Sequence, residues 1–165
     1  MYLHTEVYWQ YNDFMSNTSL MAVLRLIRVE ATLQARFTGA LGSVHGLSLN
    51  DLILLMTLDS QPNGRMRRVD LAVVLAMSQS SVTRMAMPLE KIGLIARDSD
   101  VRDGRVAYVV LTKAGSTRAR EAKTTLTHLS ENVFAERFTA AEIKALTYLL
   151  GKLSAPLPGV PSELA

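Results

Sequence analysis

Two clusters of side chains in this chain combine donors and acceptors at regular spacing, and both lie between residues 78 and 105. The first is Ser78-Gln-Ser-Ser-Val-Thr-Arg84. Ser78 is placed to cap a helix that starts after it, its hydroxyl accepting from a free backbone N–H. Beyond the cap, Val82, Met85, Leu89 and Ile92 fall 3, 4 and 3 residues apart, which predicts one buried apolar stripe. The opposite face then presents Gln79, Ser80, Thr83 and Arg84, with Ser81 at its side. Hydroxyls are small enough to let a helix sink into a major groove, where glutamine and arginine form paired hydrogen bonds to base edges. An ordinary surface helix shares this spacing, but its outer face usually carries more glutamate and lysine.

The second cluster lies within 93–115, GLIARDSDVRDGRVAYVVLTKAG. Leu94–Arg97 and Arg105–Thr112 are apolar or β-branched enough to be strands, and the Asp, Arg and Gly residues between them supply turn chemistry. A two-stranded ribbon buries little by itself and must lean on neighbouring structure. A short helix, a polar-faced helix and a charged hairpin outline a winged helix, a module that reads DNA.

The elements that must position these groups are mainly helical. From Ser16, a candidate cap, Leu20, Val23, Leu24, Ile27, Ala31 and Ala35 keep helical spacing, and the helix is expected to end near the glycines of 39–46. Ser48 caps a second helix containing Leu49, Leu52, Ile53, Leu55 and Met56, stopped by the turn Gln61-Pro-Asn-Gly64. Arg67–Leu75 is expected to be a short helix with Leu71, Val74 and Leu75 inward, followed by a tight turn at Ala76-Met-Ser78. After the hairpin, Thr112-Lys-Ala-Gly115 opens a long helix to about Phe134, with Ala119, Ala122, Leu126, Leu129 and Val133 in a narrow stripe. Thr139-Ala-Ala-Glu142 is a capping box for a last helix holding Ile143, Leu146, Leu149, Leu150 and Leu153. The tail from Ser154, with Pro156, Pro158 and Pro161, is expected to fray.

Charge placement agrees with a phosphate-bearing partner. Residues 60–113 carry nine Lys/Arg against five acids, a balance of +4, whereas the other 111 residues balance to −1. The positive excess therefore sits wholly in the segment singled out by its motifs. Other function classes find no support. Cysteine is absent, which excludes disulfides, thiolate metal sites and thiol redox sensing. His4, His45 and His128 are scattered, with no glycine-rich phosphate loop and no histidine pair at metal-ligand spacing, so neither an enzyme nor a metal site is expected. His45 reads as a structural residue at a helix end, and the eight methionines as core packing. No apolar run approaches the roughly 20 residues needed to span a bilayer, and the polar first residues do not read as a secretory signal. A cytoplasmic location is expected. At 165 residues the chain suits one domain or two lobes sharing a core.

The order of elements resembles the MarR (multiple antibiotic resistance regulator) family. The matching segments are Asp70-Leu-Ala72, Ser78–Arg84, Leu89-Glu-Lys-Ile-Gly-Leu-Ile95, Asp100-Val-Arg-Asp-Gly-Arg105 and Leu111-Thr-Lys-Ala-Gly115. The resemblance is close over residues 70–115, and helical order extends it to about 16–153. It implies a mainly α fold with a small β-hairpin wing, a winged helix-turn-helix lobe and a helical dimerisation region. The implied division is 1–47 for an N-terminal arm and first dimerisation helix, 48–112 for the DNA-binding lobe, and 113–165 for C-terminal dimerisation helices and tail. The implied partners are double-stranded DNA and a second copy of the chain. The DNA-contacting set is Arg68, Gln79, Ser80, Ser81, Thr83, Arg84, Arg102 and Arg105, with Arg102 entering the minor groove and Asp100 orienting it. The turn aspartates, including Asp103, sit among arginines that would neutralise them, so they do not read as metal ligands.

On this reading the protein is a dimeric repressor of a pseudo-palindromic operator, with no cofactor, relieved by a small aromatic or phenolic effector. That effector would bind between the dimerisation helices and the DNA lobe. A constitutive regulator without effector, and an adaptor whose wing charges meet an acidic protein, are the alternatives; the acid-free face from Gln79 to Arg84 favours DNA. Two residues depart from the family pattern. Pro88 lacks an N–H in the second half of the recognition helix and is expected to kink or loosen it near Arg84. Arg67 stands where a hydroxyl cap is usual. Finally, Tyr2, Tyr8, Trp9, Tyr11 and Phe14 are half of the ten aromatics, packed into the first 14 positions. Such side chains suit an arm on the dimer partner or a lid over a ligand pocket better than a frayed end.

Overall fold

The structure, a computed structural model, describes residues 17–99, 107–135 and 137–153. The aromatic arm, Asp100, Arg102, Asp103 and Arg105 of the wing, and the proline-bearing tail lie outside the described residues. The chain divides into two units, Met1–Lys123 and Thr124–Ala165.

In the first unit α1 (Thr18–His45) is followed by α2 (Leu49–Asp59), a 3-10 turn at Pro62–Gly64, β1 (Arg65–Arg67), α3 (Arg68–Val74) and α4 (Gln79–Lys91). Then come β2 (Ile95–Ser99), β3 (Ala107–Leu111) and the start of α5 (Lys113–Phe134). The cap of α1 is Asn17, not Ser16: its side chain accepts from the Leu20 N–H at 3.0 Å. The helix runs through Gly39 and Gly42 and stops at Gly46, where φ is +67°. Only that last position needs the left-handed backbone that glycine adopts without penalty. Near this end Phe37 and Leu41 are buried, whereas Leu20, Val23, Leu24 and Ile27 are exposed.

Ser48 caps α2 through a full capping box: the Asp51 N–H donates to its hydroxyl at 3.1 Å, and the Ser48 N–H donates to the Asp51 carboxylate at 2.8 Å. This helix is the centre of the core, with Leu52, Leu54, Leu55 and Leu58 fully buried. The wing is more than a hairpin. β1 pairs with β3, giving a three-stranded antiparallel sheet of order β1-β3-β2 with Met66 opposite Val109 and Arg97 opposite Val109 on the other side. The sequence reading missed β1 because three residues, two of them arginine, show no usable alternation. The first predicted strand starts one residue later than expected, at Ile95, and the second is described from Ala107.

Two inward assignments are corrected. Val74 is 59% exposed, and Ala72 is buried beside Leu71 instead. With residues 71 and 72 inward, the 100° step per residue turns position 74 away from the core. Ile92 is 61% exposed because α4 ends at Lys91, so helical spacing no longer applies to it; Val82, Ala86 and Leu89 form the stripe.

The base of the wing is locked to α5 by Thr112. Its hydroxyl donates to the Gly93 carbonyl at 2.7 Å and accepts from the Gly115 N–H at 3.0 Å, and its own N–H reaches the Leu94 carbonyl at 3.1 Å. A Cβ on Gly115 would lie 2.0 Å from the Leu94 carbonyl oxygen, so only glycine lets α5 start there. Ser116 donates to Asp59 at 2.6 Å, and Arg118 donates to the His45 carbonyl at 2.7 Å, which fixes α5 to the ends of α2 and α1. His45 is the last residue of α1, as its structural reading expected.

The second unit holds the end of α5 and α6 (Ala140–Leu153). The predicted capping box forms: the Thr139 N–H donates to Glu142 at 2.8 Å, and the Glu142 N–H donates to the Thr139 hydroxyl at 3.3 Å. That backbone N–H of Thr139 holds the Glu142 carboxyl below its ordinary range. No residue of α6 is buried; Tyr148, Leu149 and Leu153 are more than half exposed. Among the described residues no single helix is long and apolar enough to cross a membrane.

Candidate nucleic-acid interface

The sequence-predicted face of α4 exists and is built from its cap outward. Ser78 accepts from the Ser81 N–H at 3.1 Å, and its hydroxyl lies 2.9 Å from those of Ser80 and Ser81. The Thr83 hydroxyl donates back to the Gln79 carbonyl at 2.9 Å, which keeps a small polar group flush with the helix. Gln79, Ser80 and Arg84 are exposed, while Ser81 and Thr83 are half-buried at the flank. Arg84 reaches the Ser81 hydroxyl at 3.4 Å, a long contact that leaves its guanidinium free to turn outward.

Arg68, at the start of α3, is brought to this face by tertiary packing. Its guanidinium donates to the Thr83 hydroxyl at 3.2 Å across fifteen positions of sequence. Charge around the two helices is sorted in a specific way. Arg67 clamps Asp70 at 2.6 and 2.9 Å, Arg97 pairs with Glu90 at 2.9 Å, and Arg65 pairs with Asp98 at 3.1 Å. Arg65 also lies over the Tyr108 ring at 3.7 Å. Among the described residues the acids at 70, 90 and 98 are thus occupied by arginines 67, 97 and 65, and Arg68 and Arg84 have hydroxyl partners instead. Two guanidinium groups flank α4, and no carboxylate among the described residues compensates their positive charge.

Arg67 caps α3 without a side-chain hydrogen bond to its backbone, as its residue type predicts. It serves the helix by pairing with Asp70, and that bond raises the guanidinium pKa further above its ordinary value. The helix α4 continues through Pro88 to Lys91, and the Arg84 carbonyl lacks the i+4 donor that proline cannot supply. Of the expected contact residues, the structure gathers Arg68, Gln79, Ser80, Ser81, Thr83 and Arg84 on one surface. Sequence reasoning passed over Met87 and Lys91, which continue the outer face of α4 and are exposed. Their spacing from Arg84, three and seven residues, was the available signal.

Known proteins share the fold that carries this face. The MarR family model matches residues 47–107. The transcriptional repressor MprA of Escherichia coli K12 is 34% identical over 76 residues, covering 46% of this chain and 43% of that relative. Sco3205 from Streptomyces coelicolor, a MarR family transcriptional regulator solved in complex with DNA, superposes with a TM-score of 0.78 at 23% identity, over 89% of this chain and 91% of its own. BpsR from Bordetella bronchiseptica, whose DNA binding is regulated by 6-hydroxynicotinic acid, superposes with a TM-score of 0.73 at 25% identity, over 82% of this chain and 99% of its own. The chain is thus similar to the MarR family over residues 47–107, and it shares the winged-helix fold of these regulators.

Proposed function

We propose that this protein is a transcription regulator, a repressor, that binds a pseudo-palindromic DNA operator as a homodimer. The observation that carries the proposal is the outer face of α4, where exposed Gln79, Ser80 and Arg84 stand beside Arg68 and, among the described residues, neither arginine meets a carboxylate. Gln79 and Arg84 read base edges, and the small side chains of Ser80, Ser81 and Thr83 permit the close approach. Arg68 grips a phosphate. In the wing, Arg102 enters the minor groove with Asp100 orienting it, and Arg105 adds a phosphate contact. The repressor relative and the DNA-bound Streptomyces neighbour support this reading.

Residues 48–112 act as the DNA-binding lobe, and 1–47 with 113–165 as the dimerisation region. The support is apolar surface: Val23, Ile27 and Val29 on α1, and Tyr148, Leu149 and Leu153 on α6, are each more than half exposed, an arrangement that a second copy would cover. A small aromatic effector relieves repression, by analogy with the Bordetella neighbour, and no cofactor or catalytic step is involved. The protein works in the cytoplasm, apart from membranes.

The test is fluorescence anisotropy with duplexes from upstream of the protein's own gene. The expected result is one dimer per site, with log affinity falling linearly in log salt by about 0.9 per phosphate contact. Salt-insensitive binding, or one monomer per site, defeats the proposal.

A further inference from the structure

We infer that Met87 is a specificity-determining residue that takes the 5-methyl group of a thymine in the major groove. The inference rests on the reading of α4 as the DNA-facing helix. Val82, Ala86 and Leu89 are buried and define the inward direction of α4. On the side away from them Ser80, Arg84, Met87 and Lys91 follow at spacings of 4, 3 and 4, all exposed. Met87 is 54% exposed, and the neighbouring Pro88 is exposed as well. The outer face therefore changes character along its length, from hydrogen-bonding groups at 79–84 to an apolar step at 87 and 88.

The chemistry of that step is narrow. A thioether is only a weak acceptor, so Met87 gains little from the amino donors that cytosine and adenine present in the groove. The one apolar group on a major-groove edge is the thymine methyl. An unbranched, polarisable side chain is well suited to close over it. Along the helix axis Met87 lies about 4.5 Å beyond Arg84, given a rise of about 1.5 Å per residue. Base pairs stack at about 3.4 Å, so its thymine belongs one or two steps from the base read by Arg84. Lys91 closes the same stripe as a phosphate contact, without a preference among bases.

The experiment uses the full chain in two steps. Selection from a random duplex library supplies the preferred site, and each thymine of that site is then replaced in turn by uracil, which differs only by the methyl group. The expected result is a position in each half-site where uracil costs the wild type about fourfold in affinity, the equivalent of one buried methyl group. In Met87→Ala that cost disappears while melting is unchanged, and in Lys91→Ala it persists on a uniformly weaker background. Equal binding of every uracil duplex by the wild type overturns the inference and leaves the DNA-binding reading standing. A uracil cost that survives in Met87→Ala overturns it in the same way. Failure of any duplex to be enriched removes both readings together.

Discussion

The lobe around α2 and the last helix α6 treat their apolar residues in opposite ways. In the lobe, Leu52, Leu54, Leu55, Leu58 and Leu71 are completely buried; in α6 no residue is buried, and Tyr148 and Leu153 stand more than 60% exposed. Both segments are leucine-rich, and both begin with a capping box. The difference lies in what surrounds them. The lobe closes a helix layer against a sheet within one chain, so its leucines lose their water on folding. Among the described residues of its unit, the helix α6 has no such cover and leaves its apolar surface exposed. The helix α1 shows both behaviours in one element, buried at Phe37 and Leu41 and exposed from Leu20 to Val29. A segment's hydrophobicity therefore says that burial is needed, not which molecule provides it.

The sharpest way to break this comparison is at the lobe's tightest contact. Gly115→Ala places a methyl 2.0 Å from the Leu94 carbonyl and should cost about 3 kcal/mol or more in urea unfolding. Gly39→Ala meets nothing within 4 Å and should instead stabilise α1 by about 0.5–1 kcal/mol. Leu58→Ala should cost about 2–5 kcal/mol of lobe stability. In contrast, Ile27→Glu combined with Leu149→Glu should leave the lobe folded and weaken self-association at least about tenfold, read by sedimentation across a dilution series. A loss of lobe stability as large as that of Leu58→Ala would erase the distinction.

Within the lobe, the exposed charge on α4 should matter for DNA and not for folding. Arg84→Ala should lower operator affinity by about 1–3 kcal/mol with melting unchanged. Equal affinity of mutant and wild type would detach Arg84 from the interface. The smallest effect concerns the α6 cap. Because folding lowers the Glu142 pKa, its stabilising share is present above the ordinary glutamate pKa and is lost as pH falls through the lower folded value. Glu142→Gln should flatten that acid-side decline in helicity, and an unchanged pH profile would show that the cap contributes nothing measurable.

Much of the candidate face on α4 is legible in the sequence. Ser78, Ser48 and Thr139 were each read as caps and act as caps, because capping is a contact among residues three apart in sequence. The polar run from Gln79 to Arg84 was legible for the same reason. Arg68 could be expected beside this face only by resemblance, and its bond to Thr83 spans fifteen residues that no periodicity connects. The strand β1 escaped notice since three residues at a sheet edge carry no pattern, yet it brings Arg65 over Tyr108 and against Asp98.

The sequence by itself determined the starts of α2, α4 and α6, the order of the helices and the acid-free face of α4, since each depends on neighbours within a turn or two of helix. The tertiary structure alone decided that Ala72 and Ala86, rather than Val74 and Ile92, face the core, because facing depends on where a helix ends and which layer it meets. It also decided which arginines pair with carboxylates and which, among the described residues, meet hydroxyls instead. That sorting is a matter of distance in space, and two arginines of the same type, 67 and 68, adjacent in sequence, fall on opposite sides of it.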